Sequence, residues 1–220
     1  MKHSLLAVLC AAAIFVFTSC EKHHEPDQDL MGTTGTLGIE MEHMFGTSDF
    51  QLNTAFVDTL GDTIIFNTGN YFVSHFRFMK PDGSFFECAH QQHIEINIPN
   101  TAVFTLSNIP NGDYTGVQLA IGTDTSNVFG TFSGTLANSP FNYSAFHSTG
   151  VAYSPVYNFG SLLTIAPDAS PIMHMSVDVS KLFANGIAPP IYDTIQVGTT
   201  ESEAFLSNLL GAISFEHLHQ

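Results

Sequence analysis

The chain contains no tryptophan and is very poor in basic residues and in cysteine. Its 220 residues include five Lys and Arg against 20 Asp and Glu, which gives a formal net charge of −15. Affinity for nucleic-acid phosphates and for anionic lipid headgroups depends on clustered Lys and Arg, so this composition argues against both kinds of binding. We therefore expect no nucleic-acid partner. An acidic surface that also carries 11 His is instead suited to attracting cations.

Cysteine is scarce as well, and two of the three cysteines lie near the N-terminus. Cys10 lies within an apolar run and Cys20 follows that run, so Cys88 alone remains in the rest of the chain. We therefore expect no intramolecular disulfide, even in an oxidising compartment. A small buried strand residue is the simplest interpretation of Cys88, and a soft copper ligand is the alternative.

Residues 1–19 have the pattern of a secretory signal peptide. A short basic start precedes the apolar run Leu5–Phe17, which is too short to span ~30 Å of hydrocarbon comfortably as a helix. The sequence Phe17-Thr18-Ser19-Cys20 resembles a lipobox, and in bacterial lipoproteins that cysteine is acylated. Plain signal cleavage is the alternative. With residues 20–34 as a polar tether, we predict an exported protein, periplasmic or attached to the outer membrane, with a lipid anchor at Cys20.

From Gly35 onward the pattern is typical of an antiparallel β protein. Short apolar or alternating runs recur between turn signals such as Lys80-Pro81-Asp82-Gly83, in which Pro fixes φ and Gly tolerates positive φ. About eight to ten strands without a βαβ rhythm predict a single all-β domain over residues 35–220, an antiparallel β-sandwich that is Ig-like or related. The candidate segments, from which we expect about eight to ten strands, are Thr36–Met44, Asp62–Asn67, Tyr71–Met79, Ser84–Cys88, His93–Ile98, Ala102–Leu106, Tyr114–Ile121, Leu162–Ile165, Ile172–Val179, Thr194–Val197 and Ala212–His219.

The remaining segments complete this prediction. The only helices that the sequence favours are short and near the C-terminus, at Ser180–Ala184 and Glu201–Leu210. The stretch Thr131–Phe159 is rich in Ser, Asn, Gly and aromatic residues. We predict that it forms a long surface excursion.

Several sequence blocks in this region occur in the order found in a known family. They are GTLGIEMEHMFG, YFVSHFRFMKPDGS, FTLSNIPNGDYTGVQLAIGTD, HMSVDVSKLF and SFEHLH. In these blocks, which span residues 35–219, the chain resembles the MbnP-like domain family of exported, copper-associated β-sandwich proteins, many of them lipoproteins. The resemblance implies metal binding, chiefly of copper, without catalysis by the domain itself. It departs from members that carry Trp after the Gly-Thr-Asp block, because this chain has none.

Histidines are the best candidates for a metal site. On a strand, His217 and His219 point to the same face, where two imidazoles can converge on one copper or zinc ion. His43 and His174 match histidines of the family pattern. We predict a site formed by His43, His174, His217 and His219 that is most suited to copper, with zinc and calcium as the alternatives. The alternatives are a solvated chain end for the last pair and ordinary hydrogen-bonded histidines for the first two.

Other histidines are weaker candidates. His90 and His93 frame Gln91-Gln92, a spacing that suits a turn better than one ligand face. His23-His24 lie in the tether, and His75 and His147 have no evident partner in the sequence.

Enzyme signatures are absent from the sequence. There is no G-x-S-x-G, no H-E-x-x-H, no P-loop and no G-x-G-x-x-G after a strand. We therefore expect a non-catalytic protein.

Three functions fit these observations. The first is a copper-binding envelope lipoprotein that scavenges, stores or carries the ion. The second is a structural or glycan-binding β-sandwich whose Phe141–Phe159 stretch stacks on sugar rings. The third is an accessory subunit for a redox or transport partner, against which the absence of Trp argues. Convergence of the four predicted imidazoles in space distinguishes the first function from the second.

The lipid anchor gives a first testable prediction. If Cys20 is acylated, Cys20→Ser moves the protein from the membrane fraction to the soluble fraction, because serine has no thiol to carry the acyl chain. Fractionation followed by immunoblotting measures this, with Cys88→Ser as the matched control that stays in the membrane fraction. Membrane association that persists in Cys20→Ser would contradict the anchor.

Overall fold

The structure is a computed structural model that describes residues 33–58, 60–123, 128–146, 151–183 and 200–220. The predicted signal peptide, Cys20 and most of the tether, including His23 and His24, lie outside the described residues. So do His147 and the predicted strand Thr194–Val197. Among the described helices, none has the length and apolar character needed to cross a membrane.

Strands make up most of the described chain. Within the described ranges the helical elements are α1 (Thr200–Ala212) and two 3₁₀ turns at Pro99–Thr101 and Val179–Phe183. α1 and the turn at Val179–Phe183 match the short helices expected near the C-terminus, whereas the turn at Pro99–Thr101 was not predicted. The strands are β1 (Thr34–Phe45), β2 (Ser48–Asp49), β3 (Ala55–Val57), β4 (Thr63–Met79), β5 (Phe85–Glu95), β6 (Val103–Pro110), β7 (Gly112–Ile121), β8 (Val128–Leu136), β9 (Ser139–Phe146), β10 (Ala152–Tyr153), β11 (Tyr157–Ile165), β12 (Ile172–Asp178) and β13 (Ile213–His219).

The strands of the described chain form two sheets. In the five-stranded sheet the order is β13-β12-β1-β2, and β6 also pairs with β1. The eight-stranded sheet is built around β4, the longest strand, which pairs with β3, β5, β7 and β8. β9 extends this sheet from β8, while β10 and β11 pair with β7. This confirms the predicted all-β sandwich.

The core lies between the two sheets and follows the alternation of the strands. In β1 every second side chain is buried, including Leu37, Ile39 and Met41. Aromatic pairs connect the sheets: Phe50 packs edge-on against Phe66 at 5.4 Å between ring centroids. Burial of this apolar area supplies the main favourable free energy of folding.

One pairing differs from the antiparallel expectation. β1 and β12 are parallel neighbours, with Glu40 opposite His174 and Ile39 opposite Met173. All the other pairings between described strands are antiparallel. Parallel neighbours need a long crossover connection, and here the chain between β1 and β12 builds the whole second sheet.

Two predicted breaks between strands are wrong. The separately predicted strands Asp62–Asn67 and Tyr71–Met79 are joined in β4, which runs through Gly69 without interruption. A Cβ atom at Gly69 would lie 2.7 Å from a side-chain carbon of Ile96, so this glycine serves close packing and not a turn. Similarly, His90 and His93 lie within one continuous strand, β5, and not around a turn.

The predicted surface excursion over Thr131–Phe159 is also wrong. Most of this stretch forms β8, β9 and β10 and the start of β11. Its small residues indicated a loop, but Gly134 lies where β8 meets β4 so closely that a Cβ atom would be 1.9 Å from the Ile65 carbonyl oxygen. Glycine is needed there because the two backbones are in contact.

The last strand gives the second prediction. Deletion of residues 213–220 should lower the free energy of unfolding by several kcal/mol, because Ile213 is buried and Phe215 and Leu218 pack against the core. Deletion of Gln220 alone is the control and should cost about 1 kcal/mol, since it removes hydrogen bonds but no core side chain. Chemical denaturation measures both variants. An unchanged unfolding midpoint after the longer deletion would show that β13 adds no stability.

Candidate metal centre

The position of His174 follows from the burial of its neighbours on β12. Met173 and Met175 are both fully buried, so alternation turns His174 to the outer face of the five-stranded sheet. Alternation along a strand accounts for this arrangement, because Met173 and Met175 are the immediate chain neighbours of His174 and therefore point to the opposite face. Their thioether groups pack in the core and are not available to a ligand bound on the outer face.

A β-bulge at Glu216 brings two more histidines to that face. The register pairs Met175 with Phe215 but His174 with His217, so Glu216 is an extra residue in β13. Without the bulge, His217 would share the inward face of Phe215. With it, Phe215 packs towards the core while His217 and His219 are exposed beside His174.

The three imidazole rings are in direct contact. The rings of His174 and His217 are stacked, with centroids 4.4 Å apart and planes at 8°. His219 lies edge-on to both, at 4.9 and 4.8 Å between centroids. The Nε2 atoms of His217 and His219 are 3.2 Å apart. One ligand nitrogen from each ring lies within 4.8 Å of the others, and no other group of three His, Cys, Asp or Glu in the described ranges is so arranged.

The end of β13 is held in place and is not a frayed tail. The side-chain amide of Gln220 donates a hydrogen bond to the Leu162 carbonyl oxygen at 2.7 Å and accepts one from the Thr164 backbone N–H at 3.1 Å. These bonds attach the chain end to β11. His219 is therefore part of an ordered strand, and the alternative of a solvated chain end does not hold.

A carboxylate lies beside the three histidines on the outer face of the five-stranded sheet. Oε2 of Glu40 on β1 lies 3.3 Å from Nδ1 of His174, and the two residues are register partners. The Glu40 side chain is 41% exposed and that of His174 is 23% exposed. The site is therefore open to solvent on one side and supported by the sheet on the other.

The donor set fits a transition-metal ion. Two nitrogen ligands on a tetrahedral ion, with bonds of ~2.0–2.1 Å, lie about 3.3 Å apart, close to the 3.2 Å between the His217 and His219 nitrogens. The third nitrogen, at up to 4.8 Å, can approach by rotation of exposed side chains between rotamers. Neutral imidazole suits copper, zinc and nickel, whereas calcium prefers oxygen ligands.

His43 does not join this cluster. The expectation that it shares a face with His217 and His219 is wrong, because β12 lies between β1 and β13 and His43 points to the inner side of the sheet. There its Nε2 atom is 2.9 Å from the hydroxyl of Tyr71, which is fully buried. Burial lowers the pKa of His43 to about 4 and raises the pKa of Tyr71.

The weaker candidates have structural roles. Nδ1 of His75 lies 2.8 Å from Oε1 of Glu87, and the His93 ring stacks on Phe72. The His90 ring stacks on Phe104 with planes at 2°, and its Nε2 atom is buried without a hydrogen-bond partner in the described part of the chain.

Cys88 lies on β5, half-buried, at the border between the two sheets. Its thiol is 3.9 Å from the Ser107 carbonyl oxygen, and burial raises its pKa. The Asp178 carboxylate accepts hydrogen bonds from the backbone N–H groups of Gly46 and Ser180. It therefore caps the 3₁₀ turn that begins at Val179.

Two phenylalanines of the aromatic stretch considered for sugar stacking lie inside the fold. Phe141 and Phe159 are buried and pack against Phe183 and Phe215 respectively. The Tyr157 hydroxyl donates a hydrogen bond to the Ile213 carbonyl oxygen. The side chain of Tyr143 lies outside the described residues, and Arg77 covers the ring of Tyr153 at 4.1 Å.

Fold and site together define a β-sandwich protein with a histidine cluster of metal-binding type on its outer face. The family model described as MbnP matches residues 34–153, and the chain belongs to that family. Membership supports a metal-related role in a general sense. The matched range includes Glu40 and His43 but ends before His174, His217 and His219.

Among solved structures, MbnP from Methylosinus trichosporium is similar to this chain. The two are 10% identical, the match covers 69% of this chain and 78% of that one, and the TM-score is 0.46. Comparison with curated proteins gave no match.

The buried His43 gives a third prediction. Because its pKa is about 4 in the folded protein and 6.5 ordinarily, the unfolded chain takes up the proton first as pH falls. The free energy of unfolding should therefore keep its full value above about pH 6.5 and decline between about pH 6.5 and 4. The loss that is due to this residue should be on the order of 3 kcal/mol.

The measurement is the free energy of unfolding by denaturant at several pH values. His43→Gln removes the titrating group while keeping polar atoms near the Tyr71 hydroxyl, so its stability should depend less on pH in this window. The same pH dependence in parent and variant would contradict the assignment.

Proposed function

We propose that this protein is an envelope lipoprotein that binds copper through His174, His217 and His219 and serves as a scavenger, store or chaperone for the ion. The observation that carries the proposal is the convergence of the three imidazoles on one face, with two Nε2 atoms 3.2 Å apart. Family membership supports the metal-related part. Copper, the envelope location and the anchor at Cys20 are the parts that need experimental test.

Copper is favoured by the chemistry of the donors. Three neutral imidazoles form a nitrogen site, and by the Irving–Williams order such a site binds Cu²⁺ more tightly than Zn²⁺. The two methionines on β12 are buried on the opposite side, so no soft thioether donor joins the set. Cu²⁺ is therefore the ion for which the arrangement is best suited.

The exposure of the site favours exchange of the ion over permanent storage. Structural metal sites have four protein ligands and are closed, whereas three protein ligands leave one position for water or an incoming group. His217 and His219 are exposed on the sheet surface. The formal net charge of −15 adds a long-range attraction for cations that fades as salt rises.

A copper titration of the full chain tests this proposal. The background is Cys20→Ser with His23→Ala and His24→Ala, which removes the anchor and the tether histidines. In this background His217→Ala/His219→Ala should weaken copper binding by more than the roughly 10- to 100-fold that loss of one supporting group costs. Competition with a chelator of known affinity measures the change.

The matched control removes two other histidines. His90→Ala/His93→Ala changes the same number of imidazoles on β5, away from the cluster, and should leave copper affinity within about threefold of the parent. Acidification should weaken binding in the parent, because protons compete for ligand nitrogens. Equal copper affinity in the parent and the His217/His219 variant would reject the site.

A further inference from the structure

We propose that Glu40 is a positioning residue for the histidine cluster. Its carboxylate oxygen Oε2 lies 3.3 Å from Nδ1 of His174 and keeps the hydrogen of the neutral ring on that nitrogen, which leaves Nε2 to bind the metal ion. The inference rests on the proposed metal function and adds a residue on β1 to a site whose ligands lie on β12 and β13.

The geometry comes from two strand registers. The β1–β12 ladder pairs Glu40 with His174, and the β12–β13 ladder pairs His174 with His217, so the three residues form one row across the outer face. Neighbouring strands of a sheet lie ~4.8 Å apart, so side chains of register partners on the same face are within contact distance. Here the Glu40 Oε2 atom is 3.3 Å from His174 Nδ1.

The contact determines which nitrogen of His174 carries the proton. A neutral imidazole has one N–H donor and one unprotonated nitrogen, and the hydrogen bond of one nitrogen selects the role of the other. A carboxylate accepts only, so it selects the form with hydrogen on Nδ1. The carboxylate also makes the ring a stronger ligand. It restrains the ring in the orientation in which His174 stacks on His217.

Glu42 provides a matched control on the same strand. It lies two residues from Glu40 on the same face, carries the same charge and is exposed. Its register partner is Ser176, whose hydroxyl is hydrogen-bonded to that of Ser214. Replacing either glutamate removes one negative charge from the outer face, so a difference between the two variants isolates the contact with His174.

The first measurement needs no metal. In the full-length Cys20→Ser, His23→Ala, His24→Ala chain, ¹⁵N–¹H NMR of the histidine rings reports the tautomer of His174. We expect hydrogen on Nδ1 in this parent and in Glu42→Ala, and a shift towards hydrogen on Nε2 in Glu40→Ala. In Glu40→Gln the amide can either accept from Nδ1–H or donate to an unprotonated Nδ1, so the shift should lie between those of the parent and Glu40→Ala.

The second measurement is copper affinity by chelator competition in the same four proteins. Glu40→Ala should weaken binding roughly 10- to 100-fold, the usual effect of losing a group that orients a metal-binding histidine. Glu42→Ala should change it by less than about threefold. Glu40→Gln should fall between them. The electron paramagnetic resonance spectrum of the copper-loaded variants reports whether the set of atoms bound to the ion changes.

The outcomes are distinct. Equal loss of affinity in both alanine variants would attribute the effect to charge alone and overturn the proposal, as would an unchanged His174 tautomer in Glu40→Ala. Loss of an oxygen ligand in the Glu40→Ala spectrum would make Glu40 a ligand and overturn the positioning role. If the parent does not bind copper but the tautomer still shifts, the proposed function fails while the control of His174 by Glu40 is supported.

Discussion

The position of β12 between β1 and β13 is the constraint on which the candidate site depends. Backbone hydrogen bonds fix its register with both neighbours, and a slip of one residue would turn every side chain to the other face of the sheet. The register that buries Met173 and Met175 is therefore also the one that exposes His174 beside Glu40. Packing of the core and placement of the site are two consequences of the same ladder.

The bulge at Glu216 lets the short strand β13 contribute side chains both to the core and to the histidine cluster. Before it, Ile213 and Phe215 contribute to the core, and after it, His217 and His219 lie on the outer face. Bulges commonly redirect side chains next to functional sites. Because β13 is an edge strand of its sheet, the amide of Gln220 that attaches the chain end to β11 keeps these histidines from fraying away from the cluster.

Histidine has opposite roles on the two sides of this sheet. His43 is largely buried against the Tyr71 hydroxyl, and its low pKa keeps it neutral in the core. His174 is on the outer face, where a carboxylate and two other imidazoles surround it. The same residue type is thus a core component in one place and a candidate ligand in the other, and side-chain direction alone separates the two.

The sequence by itself determined the β-sandwich, the family, the short C-terminal helices and the chemistry of the candidate site. Alternation along Ile172–Val179 was enough to place His174 opposite its methionines, because strand periodicity is a local property. The tertiary structure alone decided which histidines meet. The pairing of β12 with both β1 and β13 is non-local, and the bulge that redirects His217 leaves no mark in composition. The continuity of β4 through Gly69 could not be predicted for the same reason. A glycine is needed there because the Ile96 side chain packs closely against it, and Ile96 is distant in sequence and close only in the folded chain.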